Sequence, residues 1–163
     1  MTAPFLIFAV GNESRGDDGL GPLLLRDLAS WLMTNSLSEQ FELIEEFQLQ
    51  IEHALDMKGR QLVLVIDAGI HTRSPFEFYR AQACDTPVLY SHALAPEALL
   101  KVYAKFYQEA PPAVFILCIA GDHFELGESL SVKTADRLAT AFEFCKKLLS
   151  RPNTSNWGEL LTR

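Results

Sequence analysis

The sequence predicts an α/β protein of three layers: a twisted, mostly parallel sheet of about five strands with helices on both faces. Three observations carry that expectation. Apolar runs such as FLIFAV, LVLVI and AVFILCIA have the length and continuity of strands covered on both faces. Segments with apolar residues at helical spacing lie between them. The two kinds of segment alternate along the chain, as crossover helices joining parallel strands do. With 163 residues and 48% hydrophobic content the chain suits one domain with a sizeable core, placed at residues 1–150, followed by a polar tail at 151–163.

The first unit is strand, loop, helix. FLIFAV (5–10) is wholly apolar, and the glycine-rich VGNESRGDDGLG (10–21) forms the loop. From there Leu20, Leu23, Leu24, Leu28, Trp31 and Leu32 recur at helical spacing, with Pro22 tolerable in a first turn, so a helix is expected over about 19–34. FELIEEFQL (41–49) reads as a second, more polar strand. IEHALDMKG (51–59) reads as a short helix closed by Gly59, and QLVLVIDAG (61–69) as the most strand-like stretch in the chain. FEFYRAQA (76–83) alternates as a strand does, CDTPVLYSHAL is irregular, and APEALLKVYAKFY (95–107) is a helix with Pro96 in its first turn. AVFILCIAG (113–121) is a further buried strand. A loop then leads to a last helix that Ser131 can cap, with Val132, Ala135, Leu138, Phe142 and Cys145 on its apolar face. Beyond Ser150 the polar RPNTSNWGELLTR is expected to be loosely attached.

Composition excludes several classes. Fourteen basic against twenty-one acidic residues give a net charge of −7 with no basic block, which argues against nucleic acid and against anionic lipid. No apolar run approaches the ~20 residues of a membrane helix, and MTAPFLIFAV runs directly into a strand without a basic leader. A cytoplasmic monomer is the expectation. Cys84, Cys118 and Cys145 are odd in number and lack CxxC spacing, so they read as reduced, mostly buried thiols.

In such sheets the working crevice lies outside the carboxyl ends of the strands. Asp17 and Asp18 follow the first strand, Asp67 ends the third, and His92 precedes a helix, so three segments bring carboxylates and an imidazole to that edge. Ligands of this type with open coordination positions suit zinc, nickel, manganese or iron, and the absence of a sulfur ligand argues against a closed structural zinc site. Adjacent aspartates at a helix start also serve as caps. Asp67 is harder to explain that way, because a carboxylate ending LVLVI must pair or bind something. His53 and His123 read as surface or loop histidines, and His71 is a weaker competitor for His92.

The glycines of VGNESRGDDGLG resemble a phosphate loop, but the spacing is not GxGxxG and no Walker lysine follows. Two carboxylates at that helix start repel phosphate and favour a cation. An aspartic-protease dyad of Asp18 and Asp67 lacks a DTG-type loop, and a serine triad lacks GxSxG.

Together these segments resemble the hydrogenase maturation endopeptidases. The resemblance lies in FAVGNESRGDDGLG, LVLVIDAG, YSHALAPEALLKV and IAGDHFELGESLS, in that order and over the chain to about residue 150. It implies cleavage of a C-terminal extension from the precursor of a nickel-iron hydrogenase large subunit after nickel insertion, the nickel arriving with the substrate. Zinc or another divalent cation is an expected substitute. It also implies that Asp18, Asp67 and His92 are the metal-binding and catalytic residues, selecting Asp18 over Asp17, which is left to cap the helix or hold the loop. The family's first acid is often glutamate, so Asp18 is one methylene shorter. A non-catalytic nickel carrier of the same fold would share these ligands and leave the precursor uncut.

Overall fold

The structure, a computed structural model, describes residues 2–83, 89–90 and 93–163. Strands β1 (Phe5–Val10), β2 (Phe41–Glu46), β3 (Leu62–Gly69) and β4 (Phe76–Arg80) are followed by the two-residue strands β5 (Leu89–Tyr90) and β6 (Ala93–Leu94), and then by β7 (Ala113–Ala120). The helices are α1 (Leu20–Thr34), α2 (His53–Asp56), α3 (Pro96–Tyr107), α4 (Val132–Ser150) and α5 (Thr154–Glu159). Five strands form one sheet in the order β2-β1-β3-β7-β4, parallel except for β4, which runs antiparallel to β7. This is the three-layer, mostly parallel α/β architecture expected. No helix among the described residues is long and apolar enough to cross a membrane.

The continuous apolar runs fill both faces of the sheet. Ile7, Leu64, Ile66, Phe115 and Leu117 pack with Leu20, Leu24 and Leu28 of α1 and Ala141, Cys145 and Leu148 of α4. Leu6, Phe8, Val63, Val65, Val114 and Ile116 pack on the other face with Met57, Leu99, Leu100 and Tyr103. Each Val, Leu, Ile, Phe or Met side chain among them contributes roughly 1.5–3 kcal/mol through its removal from water. Because successive strand residues face opposite ways, Asp67 continues the row of Val63 and Val65 on the α2–α3 face.

Several expected boundaries move. The second strand stops at Glu46 rather than residue 49, because its partner β1 ends at Val10, opposite Glu46, and the Gly11 N–H makes the following bond to the Glu46 carbonyl. The helix expected over 51–59 is reduced to His53–Asp56, and β4 ends at Arg80 rather than residue 83. His53 is buried rather than on the surface: its ring meets Phe8 edge-on, and its Nδ1 accepts the Gln50 N–H at 2.8 Å. Cys145 is buried as expected, Cys118 is partly exposed, and Cys84 lies outside the described residues.

The segment after Ser150 is not loosely attached. Trp157 of α5 is 1% exposed, stands edge-on to Phe78 and Phe115, and donates its indole N–H to the Leu148 carbonyl at 2.8 Å. Thr162 then donates its N–H to the Phe78 carbonyl, while its hydroxyl accepts the Phe78 N–H, each at 2.8 Å. One tryptophan in a polar sequence supplies the apolar area that composition did not advertise.

Candidate active site

At the carboxyl ends of β1, β3 and β7 a cavity of about 690 Å³ opens to solvent. Val10, Asp67 and Cys118 come to it from the strand ends, and Asn12, Arg15 and Asp18 from the loop after β1. Leu49 follows β2, and Pro96 and Glu97 start α3. The glycine-rich loop has the shape this requires. Gly11 has φ 150°, and a Cβ there would lie 2.0 Å from the Asp18 carbonyl oxygen, so the loop folds back on its own start only without a side chain. At Gly21 a Cβ would lie 2.8 Å from the Val10 carbonyl and 3.1 Å from that of Ile66, so α1 begins directly against the sheet.

The adjacent aspartates divide into different roles. Asp17 is 0% exposed and points away from the cavity lining. Its carboxylate accepts the N–H groups of Asp122 (2.7 Å), His123 (2.9 Å) and Ser131 (3.0 Å), together with the hydroxyls of Ser131 and Thr134. Burial alone would raise its pKa. The N–H groups of Asp122, Ser131 and His123 and the Thr134 hydroxyl outweigh that and hold the carboxyl below the usual aspartate value. Asp17 therefore ties the β1–α1 loop to the loop before α4. Ser131, expected to cap α4, stands at the N-cap position but gives its hydroxyl to Asp17 and Thr134, and no side-chain cap bond forms.

Asp18 faces the cavity and accepts the Asn12 N–H at 2.8 Å. Burial raises its pKa; the Asn12 N–H and the Arg15 charge oppose that without cancelling it. Asp67, on the neighbouring wall, accepts the N–H of Ala68 at 2.8 Å, the one hydrogen bond to its carboxyl from a described residue. Burial, with the added repulsion of Asp18, pushes its pKa up to about 7 against that one hydrogen bond. Asp18 from the loop and Asp67 from the strand are thus costly to ionise together, and a cation between them would relieve that cost.

His92 lies outside the described residues, as does Ser91. Among the described residues no group of three or more His, Cys, Asp or Glu side chains is arranged to hold a metal ion. His71 and His123 are exposed. Cys118 reaches the cavity, but its Sγ lies 3.1 Å from the Thr72 hydroxyl, and burial with the charges of Asp67 and Glu77 pushes the thiol up to about 11, so it is no ready nucleophile.

Sequence reasoning missed Arg15, Tyr79, Glu97 and Phe124, all of which line the cavity. The alternation in FEFYR separates Phe78 from Tyr79 and was the one available signal. It needed the position of β4 beside β7 to say which face was which. Burial and the Glu97 charge push the Tyr79 hydroxyl up to about 12, so it enters the cavity as a neutral phenol.

No protein-family model matches the chain, and no curated protein matches it in sequence. Solved structures do match. The NiFe hydrogenase maturation protease HycI of Thermococcus kodakarensis KOD1 superposes with a TM-score of 0.65 at 20% identity, over 92% of this chain and 94% of that one. The hydrogenase maturating endopeptidase HybD of E. coli gives 0.65 at 18% identity over 91% and 93%. The hydrogenase 2 maturation peptidase of a Thaumarchaeota archaeon gives 0.62 at 21% identity over 90% and 97%. The chain has the fold of these proteases along nearly its whole length.

Proposed function

We propose that this chain is a hydrogenase maturation endopeptidase, cutting the C-terminal extension from the precursor of a nickel-iron hydrogenase large subunit once nickel has been inserted. The observation that carries this is the meeting of Asp18 and Asp67 in one cavity, in the fold that those proteases share. Asp18, Asp67 and His92 read the nickel that the precursor brings, and zinc or another divalent cation can take its place. The enzyme acts in the cytoplasm as a monomer.

The chemistry follows from the two carboxyls. The precursor's nickel offsets their mutual repulsion, and its capture sets the scissile bond beside a water in the cavity. A carboxylate oxygen of Asp67 or Asp18 that is not engaged with the nickel takes the water's proton as the oxygen attacks the carbonyl, and returns it to the departing amine nitrogen. Recognition of the metal is then the specificity step. Mass spectrometry of the purified precursor, incubated with this protein with and without nickel, tests the reading. Loss of the extension from the nickel-loaded form alone is expected. Trimming of both forms would overturn nickel recognition, and trimming of neither would leave a nickel-binding carrier as the better account.

A further inference from the structure

Charge is unevenly distributed around the cavity. Of the described residues that line it, Asp18, Asp67 and Glu97 carry carboxyls and Arg15 alone is a cation. Arg15 is held by its backbone at both ends: its N–H donates to the Asn12 carbonyl at 3.0 Å, and its carbonyl accepts the Asp18 N–H at 3.1 Å. Its side chain remains exposed at the cavity wall. Of the two acids two residues away in sequence, Glu13 pairs with Arg26, which also holds Glu45 at 3.0 Å, and Asp17 is taken up by Asp122, His123, Ser131 and Thr134. Arg15 makes no salt bridge with a described residue.

We propose that Arg15 is a specificity-determining residue of the precursor site, its guanidinium taking a carboxylate side chain of the segment that enters the cavity. The inference rests on the endopeptidase reading above. Among the described residues of the wall Arg15 alone offers such a side chain a cationic group, while Glu97 repels it. Pairing at Arg15 fixes the register of the segment, and with it which peptide bond stands beside Asp67. Arginine suits the task because its planar fork binds a carboxylate through two parallel hydrogen bonds and stays charged at every working pH.

The test is a charge exchange across the interface. Trimming of nickel-loaded precursor is measured with the wild type, Arg15→Lys and Arg15→Glu, each against precursors in which the Asp and Glu residues around the cut are changed one at a time to Lys. Arg15→Glu is expected to lower kcat/KM on the unaltered precursor by roughly 100-fold, chiefly through KM, and Arg15→Lys by about 5-fold. One lysine-bearing precursor should be poor for the wild type and restored with Arg15→Glu. Melting temperatures should match, since the side chain is exposed. Wild-type kcat/KM in Arg15→Glu overturns the proposal, and so does a loss that no charge-reversed precursor repairs, which would leave Arg15 only offsetting Asp18. Failure of the wild type itself to trim any nickel-loaded precursor overturns the endopeptidase reading instead. Calorimetric titration with synthetic peptides spanning the cut then carries the same charge-exchange comparison for Arg15.

Discussion

The Thr134 hydroxyl donates to the Asp17 carboxylate at 3.0 Å, joining positions 117 residues apart and fixing the start of α4 to the loop after β1. Asp17→Asn puts an amide N–H₂ among donors that need an acceptor, so a destabilisation of about 2–4 kcal/mol is expected. Asp18→Asn keeps an oxygen for the Asn12 N–H and should cost under about 1 kcal/mol. Urea denaturation of the two variants checks the contrast, and equal losses would contradict the division of roles between the neighbours.

Asp67 makes the metal-free protein sensitive to pH. The folded carboxyl has a pKa of about 7 against the ordinary aspartate value of 3.8, so the native state retains a proton that the unfolded chain releases. Its contribution to stability is fully present below pH 4 and is lost as pH rises through 7, by an amount on the order of 2 kcal/mol given its partial exposure. Asp67→Asn should therefore raise the melting temperature at pH 8 more than at pH 4.5. A variant less stable than the wild type at pH 8 would mean that the ionised carboxylate is paired in the folded protein.

Activity should divide from stability at the same positions. Asp18→Asn, Asp67→Asn and His92→Ala are each expected to lower trimming of nickel-loaded precursor by at least about 100-fold while the protein stays folded. Circular dichroism beside the mass measurement separates loss of chemistry from loss of fold. A variant that retains normal trimming removes its residue from the site.

Trp157→Ala should cost about 3–5 kcal/mol, as the loss of a fully buried aromatic does. The midpoint of urea unfolding reads it directly. A midpoint unchanged from the wild type would return the last thirteen residues to the status of a loose appendage.

The fold was legible because its signals are local. FLIFAV, LVLVIDAG and AVFILCIA are buried strands by composition alone, and the aspartate ending the second of these is conspicuous against its apolar neighbours. The distinction between Asp17 and Asp18 was not legible from side-chain chemistry. It depends on residues 122–134 folding back over the loop, a contact that no window around residues 17–18 contains. Arg15 and Tyr79 were hidden for a related reason: each is ordinary in its own segment and becomes notable when the strand order brings the segments to one cavity. Trp157 was overlooked because a polar stretch was judged by its average rather than by its largest side chain.

The pairing of Thr162 with Phe78 also bears on solubility. A strand at the margin of a sheet is a template onto which other chains can add, and aggregation begins at such margins. Here the β4 margin is overlaid by residues from the end of the chain, while the β2 margin carries Glu42, Glu45 and Glu46, all exposed. One flank is shielded by covering and the other by charged side chains, Glu42 and Glu45 held in pairs with Arg60 and Arg26. Removal of the overlay should expose a margin with no acidic guard beyond Glu77, and self-association would start from the β4 side.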